Sequence, residues 1–106
     1  MTLKIENQCV ASLTVHGHAG GFPGGNNPIC AAVTALVRTA ARTLESQKGI
    51  VISGGADQPG DMIFHVNEIP AQLKERVTGI TDFLITGLRD LERENPNEIE
   101  LQIVQT

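Results

Sequence analysis

The sequence predicts an α+β fold with the element order ββαββαβ, an antiparallel sheet with two helices packed on one face. Three observations lead there. Five short segments alternate apolar and polar residues, as half-buried strands do. Two longer segments repeat apolar residues at helical spacing, each with a single stripe. The 106 residues are the size of one domain, so residues 1–106 are expected to share one core.

Each element follows from local chemistry. Residues 2–6, TLKIE, alternate, and Asn7-Gln8 turns the chain. Residues 9–16 place Cys9, Ala11, Leu13 and Val15 on one face and Val10, Ser12, Thr14 and His16 on the other, so a first hairpin is expected. The stretch GHAGGFPGGNNPIC follows at 17–30. It closes on Asn27-Pro28, an N-cap residue followed by the residue favoured at the first helical position. Val33, Leu36, Val37, Ala40, Ala41 and Leu44 then form a helical stripe, with Arg38, Arg42 and Glu45 off it. Gly49 stops that helix.

IVIS at 50–53 reads as a strand, GGADQPGD as turn chemistry, and MIFHVN at 62–67 as the returning strand. Pro70 opens a longer helix with the stripe Leu73, Val77, Ile80, Leu84, Leu88 and Leu91, ended by Asn95-Pro96. EIELQIV at 98–104 is a last strand, with Ile99, Leu101 and Ile103 inward. One stripe per helix places both helices on the same sheet face. The other face, holding Val10, Val51 and Ile63 among polar residues, keeps apolar area for a second subunit to cover, and a homodimer is expected.

Composition narrows the function. Hydrophobic residues make up 41% and charged residues 19%, ordinary for a globular protein. A net charge of -4 without a basic cluster, and three Phe with no Trp or Tyr, argue against a nucleic-acid partner, which needs phosphate neutralisation and stacking surfaces. No apolar run reaches membrane-spanning length. The first residues, MTLKIENQ, lack the apolar stretch of a secretory signal, so a cytoplasmic location is expected. Thiols stay reduced there, and Cys9 and Cys30 each need their own explanation. Cys9, among Ala11, Leu13 and Val15, reads as core packing.

Cys30 reads differently. With Asn27 as N-cap, Pro28 is the first helical residue and Cys30 the third. The first N–H groups of a helix lack intrahelical partners, and the macrodipole is positive there. A thiolate is favoured in that place. The N–H groups of Ile29 and Cys30 are candidates for receiving a developing oxyanion. His18, at the end of the second strand, reaches the sulfur if the loop folds back. A Cys–His pair attacks a carbonyl and the His then protonates the leaving amine. Gly20, Gly21, Gly24 and Gly25 give that loop freedom to open and close over a bound segment. The run is no phosphate loop, because it lacks the terminal Gly-Lys-Ser/Thr.

Here the residues resemble a known family. GHA at 17–19, Gly25 five residues before Cys30, ICAAV at 29–33 and the twelve-position interval from His18 to Cys30 are similar to the bacterial ribosomal-processing cysteine proteases. The ββαββαβ order over nearly the whole chain is also that family's. The resemblance implies a homodimeric cytosolic endopeptidase that removes a short N-terminal extension from a large-subunit ribosomal protein, after a hydrophobic, Phe-containing segment. It implies His18 as base and Cys30 as nucleophile, and no cofactor. Two positions depart from the pattern. Asn27 stands where the family usually has Asp, and Thr34 where it usually has Ser; both, with Ile29, are candidates for contacting substrate. No third catalytic residue emerges, and Asp57 and Asp61 read as solvated turn acids.

Other readings stay open. His16, His18 and Cys30 are conceivable zinc ligands, since His-x-His on a strand aims both rings one way, although the fourth ligand is unidentified. A ribosome-associated binding module that has lost proteolysis is the other, kept because of Asn27. His16 and His65 otherwise read as ordinary strand residues, and Arg38 and Arg42 as a solvated or dimer-edge face.

The departure at Asn27 generates a prediction. An N-cap carboxylate within about one turn of the sulfur would oppose its ionisation, because like charges disfavour each other. Asn27→Asp is expected to slow alkylation of Cys30 several-fold near neutral pH, measured as rate against pH beside wild type. An unchanged or faster rate would mean that Asn27 is not beside the sulfur.

Overall fold

The computed structural model describes residues 1–15, 28–55 and 62–106. Its elements, in chain order, are β1 (Thr2–Glu6), β2 (Cys9–Val15), α1 (Pro28–Glu45), β3 (Val51–Gly55), β4 (Met62–Glu68), α2 (Lys74–Glu94) and β5 (Gln102–Gln105). A 3-10 turn over Ala71–Leu73 stands between Pro70 and α2. The ββαββαβ order is the expected one. The strands form one sheet in the order β3-β4-β2-β1-β5.

The sheet is mixed rather than wholly antiparallel. β1–β2, β2–β4 and β4–β3 pair antiparallel, but β5 runs parallel to β1. The cause is the reach of the helices. A helix as long as the sheet carries the chain back to the end where the preceding strand began, so the next strand runs the same way. α1 therefore links β2 to the parallel β3, and α2 links β4 to β5, which lies parallel to β4 and β1.

Asn7 and Gln8, at φ 52° and 69°, form the tight turn between β1 and β2, where two left-handed residues match the strand twist. The hairpin then slips. Lys4 pairs with Ser12, yet Ile5 pairs with Val10, which leaves Ala11 as an extra residue, a β-bulge. The bulge inverts the alternation. Val10 shares the helix-facing side with Leu13, and both are fully buried. The expectation that Val10 faces away from the helices is thus corrected. Its backbone N–H donates to Thr81 Oγ1 on α2 at 3.0 Å, and the Thr81 hydroxyl donates to Val77 O at 2.8 Å.

The expected helical stripes form the core. Val33, Val37, Ala40 and Leu44 of α1 and Val77, Leu84 and Leu88 of α2 are buried against Leu3, Ile5, Val10, Leu13 and Phe64 of the sheet. α1 packs on β3, α2 on β2, and the helices pack on each other. Leu36 of α1 sits over Gly87 of α2, whose missing side chain leaves it room. Gly49, at φ +94°, ends the connection from α1. Gly54 is obligatory: at φ +139° a Cβ would meet the backbone of Ile63 and stand 2.7 Å from Phe64 Cα.

The end of α2 covers the outer edge of the sheet just before β5. The Gln102 N–H donates to Met1 O on the β1 side, so the polar groups of Leu101 point outward. The Leu101 N–H donates to Glu92 Oε2 at 2.6 Å, and Arg89 Nη1 donates to Leu101 O at 3.2 Å and to Glu92 Oε1 at 2.9 Å. The Leu101 backbone bond, then the Arg89 bond and charge, hold the Glu92 carboxyl below the usual carboxylate range, against a small opposing effect of burial.

Two predictions follow from these contacts. Thr81→Val keeps the shape but leaves the buried Val10 N–H without an acceptor, at a cost of about 1–3 kcal/mol. Tm is expected to fall by roughly 5–15 °C, and an unchanged Tm would show that the bulge is not held by this bond. For Glu92 the folded-state value is lowered, so its stabilisation is complete above the unfolded value near 4.5 and disappears as pH falls through the folded value. Glu92→Gln should therefore lower Tm at pH 7, with the deficit shrinking as the solution is acidified. A pH-independent deficit would contradict the assignment.

Candidate active site

α1 begins at Pro28, where a fixed φ and a missing N–H carry no penalty. This is the start expected from the sequence. Cys30 is then the third helical residue, half-buried and with a free thiol. Its own N–H belongs to the first turn, where the helix supplies no acceptor. The first turn of α1 holds no acidic residue and the last turn holds Arg42, so no described carboxylate of the helix opposes a negative charge on the sulfur. Ile29 beside it packs against the core and anchors the mouth of the helix.

The topology fixes where this mouth lies. α1 joins the end of β2 to the start of β3, which run parallel. The start of α1 therefore stands at the sheet end marked by Val15 of β2, Gly55 of β3 and Met62 of β4. Rotation about the helix fixes the direction. Ala35, Leu36, Thr39, Ala40 and Thr43 line the side of α1 that faces α2. At about 100° per residue, Cys30 lies roughly 50° from the centre of the buried stripe on the opposite flank. Thr34 follows one turn along on that flank, half-buried. Cys30 and Thr34 thus share a strip facing β3 and away from α2.

His18, Asn27, Gly20, Gly21, Gly24 and Gly25 lie outside the described residues, as do His16, Asp57 and Asp61. Among the described residues, no group of three or more His, Cys, Asp or Glu stands together as metal ligands would. His65 is exposed and pairs with Ser12 on the sheet face turned away from the helices. Cys9 is buried, as expected of a core residue. Its Sγ donates to Lys74 O at 3.7 Å and lies 3.6 Å from Thr78 Oγ1, at the far end of β2 from Val15.

A two-layer α+β protein that offers a half-buried thiol at a helix N-terminus belongs to the class in which thiol hydrolases are found. A family model for cysteine protease Prp matches residues 1–100. The chain belongs to that family. Solved structures share the fold. SMU.848 from Streptococcus mutans superposes with a TM-score of 0.80 at 23% identity, covering 99% of this chain and 92% of that one. The essential ribosomal processing protease Prp from S. aureus, with a covalently linked product peptide, gives 0.75 at 17% identity, covering 96% and 97%. The same protein with a substrate peptide gives 0.72 at 17% over the same shares. No curated protein matches the chain in sequence.

Two features escaped the sequence reading. One is the edge of β3. The other is Phe83 of α2, 71% exposed, which borders an apolar groove of about 680 Å³ between α1 and α2 with Leu36, Ile80 and Ala40. Phe83 stands off the predicted stripe, and that position alone was the available signal.

Proposed function

We propose that this protein is a ribosomal-processing endopeptidase that removes a short N-terminal extension from a large-subunit ribosomal protein, with Cys30 as nucleophile and His18 as base. The observation that carries the reading is the half-buried Cys30 thiol on the first turn of α1 in a chain of the cysteine protease Prp family. A Prp from S. aureus, described as a ribosomal processing protease, has been solved with a covalently linked product peptide, which supports a covalent route.

The steps follow from the residues. His18 takes the Cys30 proton, and the thiolate attacks the scissile carbonyl carbon. The carbonyl oxygen becomes an oxyanion, which the Cys30 N–H at the positive helix end receives. The C–N bond then breaks as His18 protonates the leaving amine. Water, deprotonated by His18, hydrolyses the thioester and restores the thiol. No cofactor takes part. Asn27, Ile29 and Thr34 contact the substrate. Gly20, Gly21, Gly24 and Gly25 allow the loop to close over it. The protein acts in the cytoplasm as a single-domain homodimer. Exposed Phe83 and the groove beside it favour a contact through the helical layer, rather than through the sheet face from which Val10 is withdrawn.

Synthetic peptides tiling the N-terminal segments of the organism's own large-subunit ribosomal proteins test the activity. One of them should be cut, and Cys30→Ala and His18→Ala should each lower kcat/KM by about a thousand-fold or more with an unchanged circular dichroism spectrum. Normal rates in a folded variant would remove that residue from the mechanism. In sedimentation, Phe83→Asp should shift a wild-type dimer mass toward monomer. A monomeric wild type at micromolar concentration would refute the dimer.

A further inference from the structure

Both edge strands, β3 and β5, leave one side unpaired among the described residues, and only the approach to β5 is covered. Just before β5, the outward N–H and C=O of Leu101 are both taken, by Glu92 and Arg89 of α2. Among the described residues β3 has no such cover: it pairs only with β4, and the backbone of 51–55 makes no hydrogen bond outside that ladder. Its sequence, VISGG, has neither charge nor proline, the usual protections of a free edge. Val51 is 46% exposed, and a side chain at Gly55 would meet only open space.

The bare edge also leads to the thiol. Cys30 lies on the flank of α1 turned away from α2, above the β3 side of the sheet. α1 runs opposite to β3. Its 18 residues span about 27 Å, whereas five-residue β3 spans about 17 Å. Cys30, on the first turn of α1, therefore stands toward the Gly55 end of β3.

We propose that the substrate binds as an extra strand on the free edge of β3, so that backbone pairing along Val51–Gly55 delivers the scissile bond to Cys30. The inference rests on the proteolytic reading above and adds the binding mode. The occupant is an extended polypeptide because only another backbone offers donors and acceptors at the spacing of an open strand edge. Every second residue of the substrate then bonds to β3, on one side of the scissile bond. The side chains between those bonds set specificity. Affinity from the backbone explains how a small surface holds a flexible segment.

The test uses the full-length protein and whichever tiled ribosomal peptide is cleaved fastest. Single N-methylation of successive peptide bonds removes one N–H at a time. On one side of the scissile bond, kcat/KM should fall about tenfold at alternate positions and little between them. Independently, folded Cys30→Ala saturated with that peptide should show slower amide exchange, by about tenfold or more, at the outward N–H groups among residues 51–55, with β5 unchanged. A cleaved peptide with a flat N-methyl profile, or a bound peptide that leaves β3 exchange unaltered, would overturn edge binding and leave the protease reading standing. If wild type cuts none of the peptides, the protease reading falls and this inference falls with it.

Discussion

The bond from the Val10 N–H to Thr81 is the constraint on which the arrangement turns. A bulge adds one residue to β2 and leaves a backbone donor out of register with β1. In a buried place such a donor must find an acceptor. Thr81 provides it from the stripe of α2, so the position of the helix and the register of the strand are fixed by one contact. On the near side of Ala11, β2 pairs with β1 through Val10 and Cys9. On the far side, Ser12–Val15 pair with β4 as well. The strand thereby presents Val10 and Leu13 to the same core, three positions apart, and still ends at the sheet margin where α1 begins.

The helices then determine the direction of everything else. Each bridges two parallel strands with another strand or strands between them, so the chain enters α1 and leaves β3 at the same margin. The Cys30 thiol on the first turn of α1 is thus carried to the end of the sheet, where several strand ends meet. The aliphatic core packs between the helices and the sheet, at interior density. At the same end of the sheet, beside the far lateral edge, Glu92 and Arg89 close off the strand approach to β5 with charge-assisted bonds.

Much of this was legible in the sequence. The stripes of both helices and the start at Pro28 depend on local chemistry, and local pattern reports them well; α1 itself ends at Glu45, four residues before the Gly49 expected to stop it. Val10 was placed on the wrong face because strict alternation has no means of announcing one extra residue. The parallel partner of β5 was missed for a different reason: alternation says which face a residue takes, and nothing about which strand lies beside it. Gly54 looked like generic turn chemistry, yet its conformation and the approach of the Ile63 backbone admit only glycine. Of the site, the helix that holds Cys30 was legible from Asn-Pro and the stripe that follows. The flank on which Cys30 sits needed the partner helix, since rotation has meaning only once a neighbour defines inside and out. His18 and Asn27, named from the motif, fall outside the described residues.

The burial of Cys9 has a consequence for redox chemistry. The chain has two cysteines. Cys9 opens β2 beneath the start of α2, whereas Cys30 stands near the margin where β2 ends. The length of β2, seven residues or roughly 20 Å, separates those two margins, far beyond the Cα spacing that a disulfide permits. Cys9 therefore cannot serve as a resolving partner for Cys30 within the folded chain. Once oxidised to a sulfenic acid, Cys30 depends on a small thiol from solution to stop further, irreversible oxidation, and its survival follows the reducing capacity of its surroundings.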